Sequence, residues 1–121
     1  MKVVFDTNIL IDYLGGNESA AAEIQRYTEP IISRITWLEI LVGVGEKDEE
    51  AAIRSFLRGF TVHELDEVTA EIALNLRRER RLRLPDAIIL ATAHAHSCLL
   101  LTRNTRDFKT TWPEIYVPYE V

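Results

Sequence analysis

Four places in the sequence hold side chains that could bind a metal ion or transfer a proton. Asp6 follows the apolar run that opens the chain, and residues 102–107 follow a second apolar run. Glu39 and Asp86 stand within segments that are otherwise mostly apolar. Burying a lone ionised carboxylate is costly unless it is paired, bound to a cation or neutralised. These four places therefore indicate a site in which several acids act together.

Each of these places also has a purely structural interpretation. Asp6 could cap the helix that follows it, since Asp, Thr and Asn all favour that position. Asp86 could serve only as a favourable acid in the first turn of a helix, worth about 0.3 to 1 kcal/mol. Residues 102–107 could form only a turn, because Asn and Asp are common in turns. The functional interpretation depends on the four places meeting at one edge of the fold.

Glu39 is the acid with the least obvious structural role. It lies four residues after Ile35 and three before Val42, so helical geometry places the three side chains on one face. We expect this apolar face to be buried. A carboxylate on it would then need a partner or a cation.

Alternating apolar segments supply the elements that must position these side chains. Strands are predicted at residues 3–5, 31–32, 60–62, 98–101 and 115–117, with helices between them. This alternation predicts an α/β fold, with a central parallel sheet of four to five short strands and helices on both faces. Ligands bind at the carboxyl edge of such sheets, where Asp6 and residues 102–107 would lie. In the long helix after the third strand, four residues should face inward: Val68, Ile72, Ala73 and Leu76.

Length and composition indicate one globular domain, residues 1–121. Of the 121 residues, 47% are hydrophobic and 27% are charged, which is typical of such domains. No apolar run approaches the ~20 residues that span a bilayer, so we expect a cytoplasmic protein with no membrane partner. The net charge of −5 argues against a surface that coats nucleic acid generally. A nuclease can still be acidic when cations mediate its contact with phosphate.

The acids at these four places indicate a hard divalent cation, because no basic residue is evidently placed to form ion pairs with them. Mg²⁺ and Mn²⁺ prefer carboxylate oxygens and keep several waters. A bound metal lowers the pKa of water, and two metals can stabilise the attacking and leaving oxygens of a phosphodiester. Arg103 and Arg106 could then hold phosphate beside the metal. The chemistry indicated is phosphoryl transfer or phosphodiester hydrolysis.

The same residues resemble those of PIN-domain ribonucleases, and specifically the VapC toxins of prokaryotic toxin–antitoxin pairs. The matching segments are VFDTNIL at residues 4–10, SRITWLEI at 33–40, LPDAIILA at 84–91 and LTRNTRDF at 101–108. Their order and spacing cover essentially the whole chain. The resemblance implies a three-layer PIN-like fold and an endoribonuclease that depends on Mg²⁺ or Mn²⁺.

The resemblance also implies roles for particular residues. The metal-binding acids would be Asp6, Glu39 and Asp86, and the supporting polar residues would be Thr7, Asn8 and Ser33. Many relatives have an aspartate at the place of Asn104, so the fourth position of the site is open between Asn104 and Asp107. The implied substrate is single-stranded or loop RNA. The implied partners are a VapB-like antitoxin and a second copy of the chain in a homodimer.

Other interpretations remain to be distinguished. A haloacid-dehalogenase-type phosphatase needs a second aspartate two positions after the first, where this chain has Asn8. A PIN-type nuclease acting in RNA processing outside a toxin–antitoxin pair, or an inactive module that binds RNA or protein, would share the same segments. Five arginines, Arg77, Arg78, Arg80, Arg81 and Arg83, are predicted to form a solvated helix end, with RNA contact as the alternative.

Overall fold

The computed structural model describes residues 1–120, apart from the side chains of Lys47 and Asp48; Val121, which ends the predicted domain, lies outside the described residues. Within that part of the chain five strands alternate with six helices. In order they are β1 (Lys2–Phe5), α1 (Thr7–Leu14), α2 (Glu18–Arg26), β2 (Glu29–Ser33), α3 (Arg34–Val42), α4 (Lys47–Leu57), β3 (Thr61–His63), α5 (Glu67–Arg80), α6 (Leu84–Ala95), β4 (Leu99–Leu101) and β5 (Ile115–Tyr116).

The five strands form one parallel sheet in the order β3-β2-β1-β4-β5. β1 lies at the centre, with Val4 beside Ile31 of β2 and Phe5 beside Leu101 of β4. The chain therefore builds the sheet outward from β1 in both directions. A crevice opens at the carboxyl edge of a parallel sheet where the strand order reverses in this way. The predicted α/β fold is confirmed.

Apolar side chains cover both faces of the sheet, which gives three layers. Along β1 the side chains alternate, so that Val3 and Phe5 join one core cluster and Val4 joins the other. The first cluster includes residues of α1 and α4, and the second is built largely from α5 and α6. None of the helices in the described part of the chain is both long enough and apolar enough to cross a membrane.

The inward face of α5 differs by one position from the predicted one. Val68 is 67% exposed, whereas its neighbour Thr69 is buried together with Ala73 and Leu76. Thr69 can face inward because its hydroxyl lies 2.7 Å from Nε2 of His63, which satisfies the buried oxygen. The prediction for Val68 was wrong because hydrophobicity alone cannot anticipate a hydrogen bond that accommodates a buried threonine.

Candidate active site

Two strand-to-helix junctions bring polar side chains to the carboxyl edge of the sheet. Asp6 directly follows β1 and caps α1, since its Oδ1 accepts a hydrogen bond of 2.8 Å from the backbone N–H of Thr7. Ser33 ends β2 and caps α3 through a bond of 3.2 Å from the N–H of Ile35. The capping interpretation of Asp6 is thus correct, and it coexists with a place at the crevice. The junction between β1 and α1 therefore both caps the helix and places a carboxylate at the crevice.

Asp6 is buried in a polar pocket. Its Oδ2 accepts hydrogen bonds from the Thr102 hydroxyl at 2.7 Å and from Nδ2 of Asn8 at 3.3 Å. Burial nevertheless raises the pKa of Asp6 to about 6, against the lowering by hydrogen bonds from Thr102 and Thr7. The negative charges of Asp86 and Glu39 raise it further. The three predicted metal-binding acids therefore lie close enough to repel one another.

Glu39 is exposed, so the expectation that it lies on a buried face was wrong. α3 turns Thr36 and Ile40 inward and leaves Val42 86% exposed. α3 is apolar on nearly every side, and periodicity therefore could not identify its inward face. Glu39 is nevertheless tied to the crevice, because its Oε1 accepts a hydrogen bond of 2.6 Å from the hydroxyl of Thr7.

Asp86 lies in the first turn of α6 and is buried without the hydrogen bonds that surround Asp6. Among the described residues, its Oδ2 has no hydrogen-bond partner. Burial raises the pKa of Asp86, the guanidinium of Arg83 lowers it, and the charges of Asp107 and Glu39 raise it. Nε of Arg83 lies 3.5 Å from Asp86 Oδ2. The acids thus have a basic neighbour, contrary to the sequence-based expectation, because Arg83 precedes Asp86 by three residues at the start of α6.

Asn104 and Asp107 bind each other in the loop after β4. Nδ2 of Asn104 donates to Oδ2 of Asp107 at 3.0 Å, and the N–H of Asp107 donates to Oδ1 of Asn104 at 3.2 Å. Both polar atoms of the Asn104 amide are therefore engaged within the loop. The carboxylate of Asp107, in contrast, lies close enough to Asp86 to raise its pKa. Of the two candidates, Asp107 is the one whose charge acts on Asp86.

Comparison with known proteins gives this arrangement a family. The model of the family described as "PIN domain" matches residues 3–111 of the chain. The chain belongs to the PIN-domain family. A protein named ribonuclease VapC, from Rickettsia bellii, is 33% identical over an alignment that covers 97% of this chain and 95% of the relative.

Two solved structures extend the comparison of this PIN domain. A chain of a toxin–antitoxin complex from Klebsiella pneumoniae is 42% identical and superposes with a TM-score of 0.91, covering 98% of this chain and 99% of its own. A chain of the DNA-bound VapBC complex from Salmonella typhimurium superposes with a TM-score of 0.83 at 22% identity, covering 99% and 98%. At that lower identity the likeness concerns the fold alone.

Among the described residues of this PIN domain, neither arginine predicted to hold phosphate forms an ion pair with the acids of the site. Arg103 forms a two-pronged ion pair with Asp12 on α1, with Nε to Oδ2 at 2.6 Å and Nη2 to Oδ1 at 2.9 Å. The hydroxyl of Tyr119 donates to the same Asp12 Oδ2 at 2.8 Å. Arg106 is exposed on the loop. Arg103 is therefore committed to holding the loop against α1.

The sequence analysis gave three residues no individual role at the acid site. Thr102 donates to Asp6 and also accepts the N–H of Asn104 at 2.9 Å, so it joins β1 to the loop after β4. Thr36 is buried 3.0 Å from the hydroxyl of Thr7, and Arg83 contacts the acids. A signal existed only for Thr102, a hydroxyl that directly follows an apolar strand paired with β1. Thr36 and Arg83 depend on tertiary packing.

A divalent cation fits this donor set. Among the described side chains, no three carboxylate, imidazole or thiol groups converge closely enough to hold one ion by themselves. Mg²⁺ does not require this, because it commonly binds one or two carboxylates and keeps several waters. The buried Oδ2 of Asp86 lacks a hydrogen-bond donor among the described residues, and the pKa of both Asp6 and Asp86 is raised. A cation would supply the positive charge that both carboxylates require.

Proposed function

We propose that this protein is a VapC-type endoribonuclease that depends on Mg²⁺ or Mn²⁺ and hydrolyses phosphodiester bonds in single-stranded or loop RNA. The observation that carries the proposal is the meeting of Asp6, Asp86 and Glu39 at the carboxyl edge of the sheet. Burial is the largest cause that raises the pKa of Asp6 to about 6, and the charges of Asp86 and Glu39 raise it further. Such a group of carboxylate oxygens favours a hard divalent cation.

In this proposal Asp6 and Asp86 bind the metal, Glu39 lies beside it, and Asp107 rather than Asn104 is the fourth acid. The metal would supply Lewis-acid activation of water and neutralise charge on the phosphate. Thr102 and Asn8 hold Oδ2 of Asp6, and Thr7 holds Oε1 of Glu39. Glu39 is the exposed acid, so in this proposal it orients the attacking water. Ser33 contributes by starting α3 in the direction that brings Glu39 to the crevice.

The proposed inhibitory partner is a VapB-like antitoxin, as the likeness to a chain of the toxin–antitoxin complex from Klebsiella pneumoniae suggests. Support from this chain comes from the apolar surface beside Glu39. A groove of about 290 Å³ runs past Glu39 and Glu49, and its apolar lining is Ile11, Leu14, Ile40, Val44 and Ile53. A partner segment with apolar and basic side chains would match this groove and its acids.

A homodimer is the second proposed assembly. Leu65, Val68 and Leu74 remain 50%, 67% and 40% exposed on α5 and the segment before it. These side chains belong to a different helix from the groove beside Glu39. The two partners can therefore bind different surfaces.

Ribonuclease activity in the presence and absence of Mn²⁺ tests the proposed function. We expect cleavage of single-stranded RNA with Mn²⁺ and none with a chelator. Asp6→Asn and Asp86→Asn should each lower the rate by more than the roughly 10- to 100-fold that loss of a residue supporting a metal ligand costs. Glu71→Gln, an exposed charge change on α5, is the matched control and should cleave as the wild type does.

Three results would contradict parts of this proposal. Cleavage that persists with a chelator excludes the metal-dependent mechanism. RNA binding without cleavage under any metal condition identifies an inactive binding module. Metal-dependent cleavage with no inhibitory partner encoded beside the gene identifies a nuclease of RNA processing outside a toxin–antitoxin pair.

A further inference from the structure

Arg83 lies over the mouth of the acid site. Its Nε is 3.5 Å from Oδ2 of Asp86, and its Nη2 is 3.7 Å from Oδ2 of Asp107. The side chain of Arg83 is 77% exposed, whereas those of Asp86 and Asp107 are 11% and 33% exposed. The guanidinium thus bridges two carboxylates from the solvent side.

The contact is a loose one. Both distances exceed the 2.7–3.2 Å typical of a protein hydrogen bond, and Asp86 Oδ2 has no hydrogen-bond partner among the described residues. Arg103 provides the contrast, since it binds Asp12 through two bonds of 2.6 and 2.9 Å. Arg83 is therefore held mainly by charge attraction, which is weak for an exposed pair.

We infer that Arg83 exchanges between two partners during the reaction. In the metal-free protein it neutralises Asp86 and Asp107. When a divalent cation binds those acids, Arg83 is released and binds a phosphate of the RNA next to the cleaved bond. This inference rests on the proposed function and assigns Arg83 as its substrate-binding arginine.

Charge and position both support the exchange. A divalent cation attracts the two carboxylates more strongly than a single guanidinium at 3.5 and 3.7 Å does, and the two compete for the same oxygens. Once released, Arg83 remains anchored at the start of α6 beside the site. Its planar fork of N–H donors matches phosphate oxygens. Arg103 cannot take this role without breaking its ion pair with Asp12.

The first test measures metal binding without catalysis. Thermal unfolding is followed across a Mn²⁺ titration for the wild type, Arg83→Gln, Arg83→Lys and Arg58→Gln. Arg83→Gln should bind Mn²⁺ about 3- to 10-fold more tightly, because a competing positive charge is gone. Arg83→Lys should remain near the wild type. Arg58, exposed at the end of α4, provides the control for loss of one charge and should leave Mn²⁺ binding unchanged.

The second test measures cleavage of a short fluorescent single-stranded RNA at saturating Mn²⁺. Arg83→Gln should raise KM about tenfold with a smaller change in kcat, because a charge-assisted contact to phosphate is lost. The slope of log(kcat/KM) against log salt concentration should become shallower by about 0.7, the value for one phosphate contact on a single strand. Arg83→Lys should raise KM less than Arg83→Gln, and Arg58→Gln should not raise it.

The signature of the exchange is tighter metal binding together with weaker RNA binding in one variant. Weaker Mn²⁺ binding in Arg83→Gln, or no change in both measurements while the wild type cleaves normally, overturns the assignment of Arg83 and leaves the proposed function intact. A wild type that is neither stabilised by Mn²⁺ nor able to cleave RNA overturns the proposed function and this inference with it.

Discussion

Asp6 and Asp86 are buried carboxylates of the same site, yet their surroundings differ. Asp6 accepts hydrogen bonds from Thr7, Thr102 and Asn8, whereas Oδ2 of Asp86 has no hydrogen-bond partner among the described residues and lies 3.5 Å from Nε of Arg83. Burial still raises the pKa of both. Hydrogen bonds to an ionised carboxylate favour the charged form, but here they do not compensate for removal from water. Both acids therefore make the metal-free protein less stable than it would be with neutral groups.

Because ionising buried Asp6 destabilises the metal-free protein, its free energy of unfolding should depend on pH. The pKa of Asp6 is about 6 in the folded protein and 3.8 in the reference state, so the folded protein takes up a proton as pH falls through about 6. The wild type should thus gain stability relative to Asp6→Asn by roughly 1 kcal/mol between pH 7 and pH 5. Urea unfolding of both proteins with a chelator present measures this difference.

Titrating groups that lie away from the acid site cancel in that comparison. The lowered pKa of His96 acts in the opposite direction, since it removes stability as pH falls, but His96 is present in both proteins. A difference between wild type and Asp6→Asn that stays constant from pH 7 to pH 5 would show that Asp6 titrates at its ordinary pKa.

The sequence located the acids but not the groups that surround them. Asp6 and Asp86 could be identified because a carboxylate beside apolar segments is conspicuous in the sequence without knowledge of the fold. The hydrogen bond from Thr102 to Asp6 spans 96 positions in sequence, so only the pairing of β1 with β4 reveals it. Arg83 was assigned with four other arginines to a solvated helix end, with RNA contact as the alternative, because its contact with the acids depends on how α6 meets the loop after β4.

At the scale of elements, a polar cluster fastens α1 to the loop after β4. Asp12, near the end of α1, accepts both prongs of Arg103 and the hydroxyl of Tyr119. The ion pair lowers the pKa of Asp12, in which the hydrogen bond from Arg103 is the largest cause. The backbone N–H of Arg103 also donates to Oδ1 of Asn8 at 3.3 Å. The cluster thus sets the distance between two elements that carry site residues.

Arg103 should therefore act on stability rather than on RNA affinity. We expect Arg103→Gln and Asp12→Asn each to lower the free energy of unfolding by about 1 to 3 kcal/mol, as loss of a hydrogen bond to a charged group does. The double variant should lose much less than the sum of the two, since both changes break one pair. KM for RNA should stay within about twofold of the wild type. Urea unfolding and steady-state cleavage of the same samples provide the two measurements.

The opposite pattern would restore the sequence-based interpretation. If Arg103→Gln raises KM strongly while stability is unchanged, Arg103 binds phosphate and its pair with Asp12 is incidental. Tyr119→Phe is a useful third variant, because it removes one hydrogen bond to Asp12 and leaves the charges unchanged.

The order of the elements was predictable because the strands and helices of this chain differ clearly in composition. The buried face of each helix was less predictable. α5 exposes Val68 and buries Thr69, and α3 exposes Val42 and Glu39. In both helices, apolar residues occur on more than one face. The sequence then cannot distinguish a face that packs on the sheet from a face that meets a partner.

At the scale of the whole molecule, the apolar residues left outside the core lie on more than one surface. Ile11, Leu14, Leu38 and Val42 are exposed on α1 and α3, near Glu39, whereas Val68 is exposed on α5. The groove beside Glu39 combines apolar walls with acids, in a protein whose net charge is −5. A basic, partly apolar partner is complementary to this surface in both respects.

Two matched substitutions separate the proposed partners. Val42→Asp should weaken binding of the proposed VapB-like antitoxin by at least about tenfold, because it places a charge in an apolar contact. Val68→Asp should leave that binding unchanged and should shift the mass measured by light scattering from dimer toward monomer. Both variants should still cleave RNA with Mn²⁺. Equal effects of the two variants on both assemblies would contradict the assignment of separate surfaces.

The hydrogen bond between Asp6 and Thr102 also bears on when the enzyme becomes active during its synthesis. β1 leaves the ribosome early, but its neighbour β4 and the hydroxyl that orients Asp6 follow 96 positions later. Asp86 and Asp107 likewise arrive in the last third of the chain. A nascent chain that has not reached this region has no formed site, whatever structure its first half adopts. A ribosome making this protein would therefore be spared cleavage of nearby RNA by its own product until β4 and the loop after it have been synthesised.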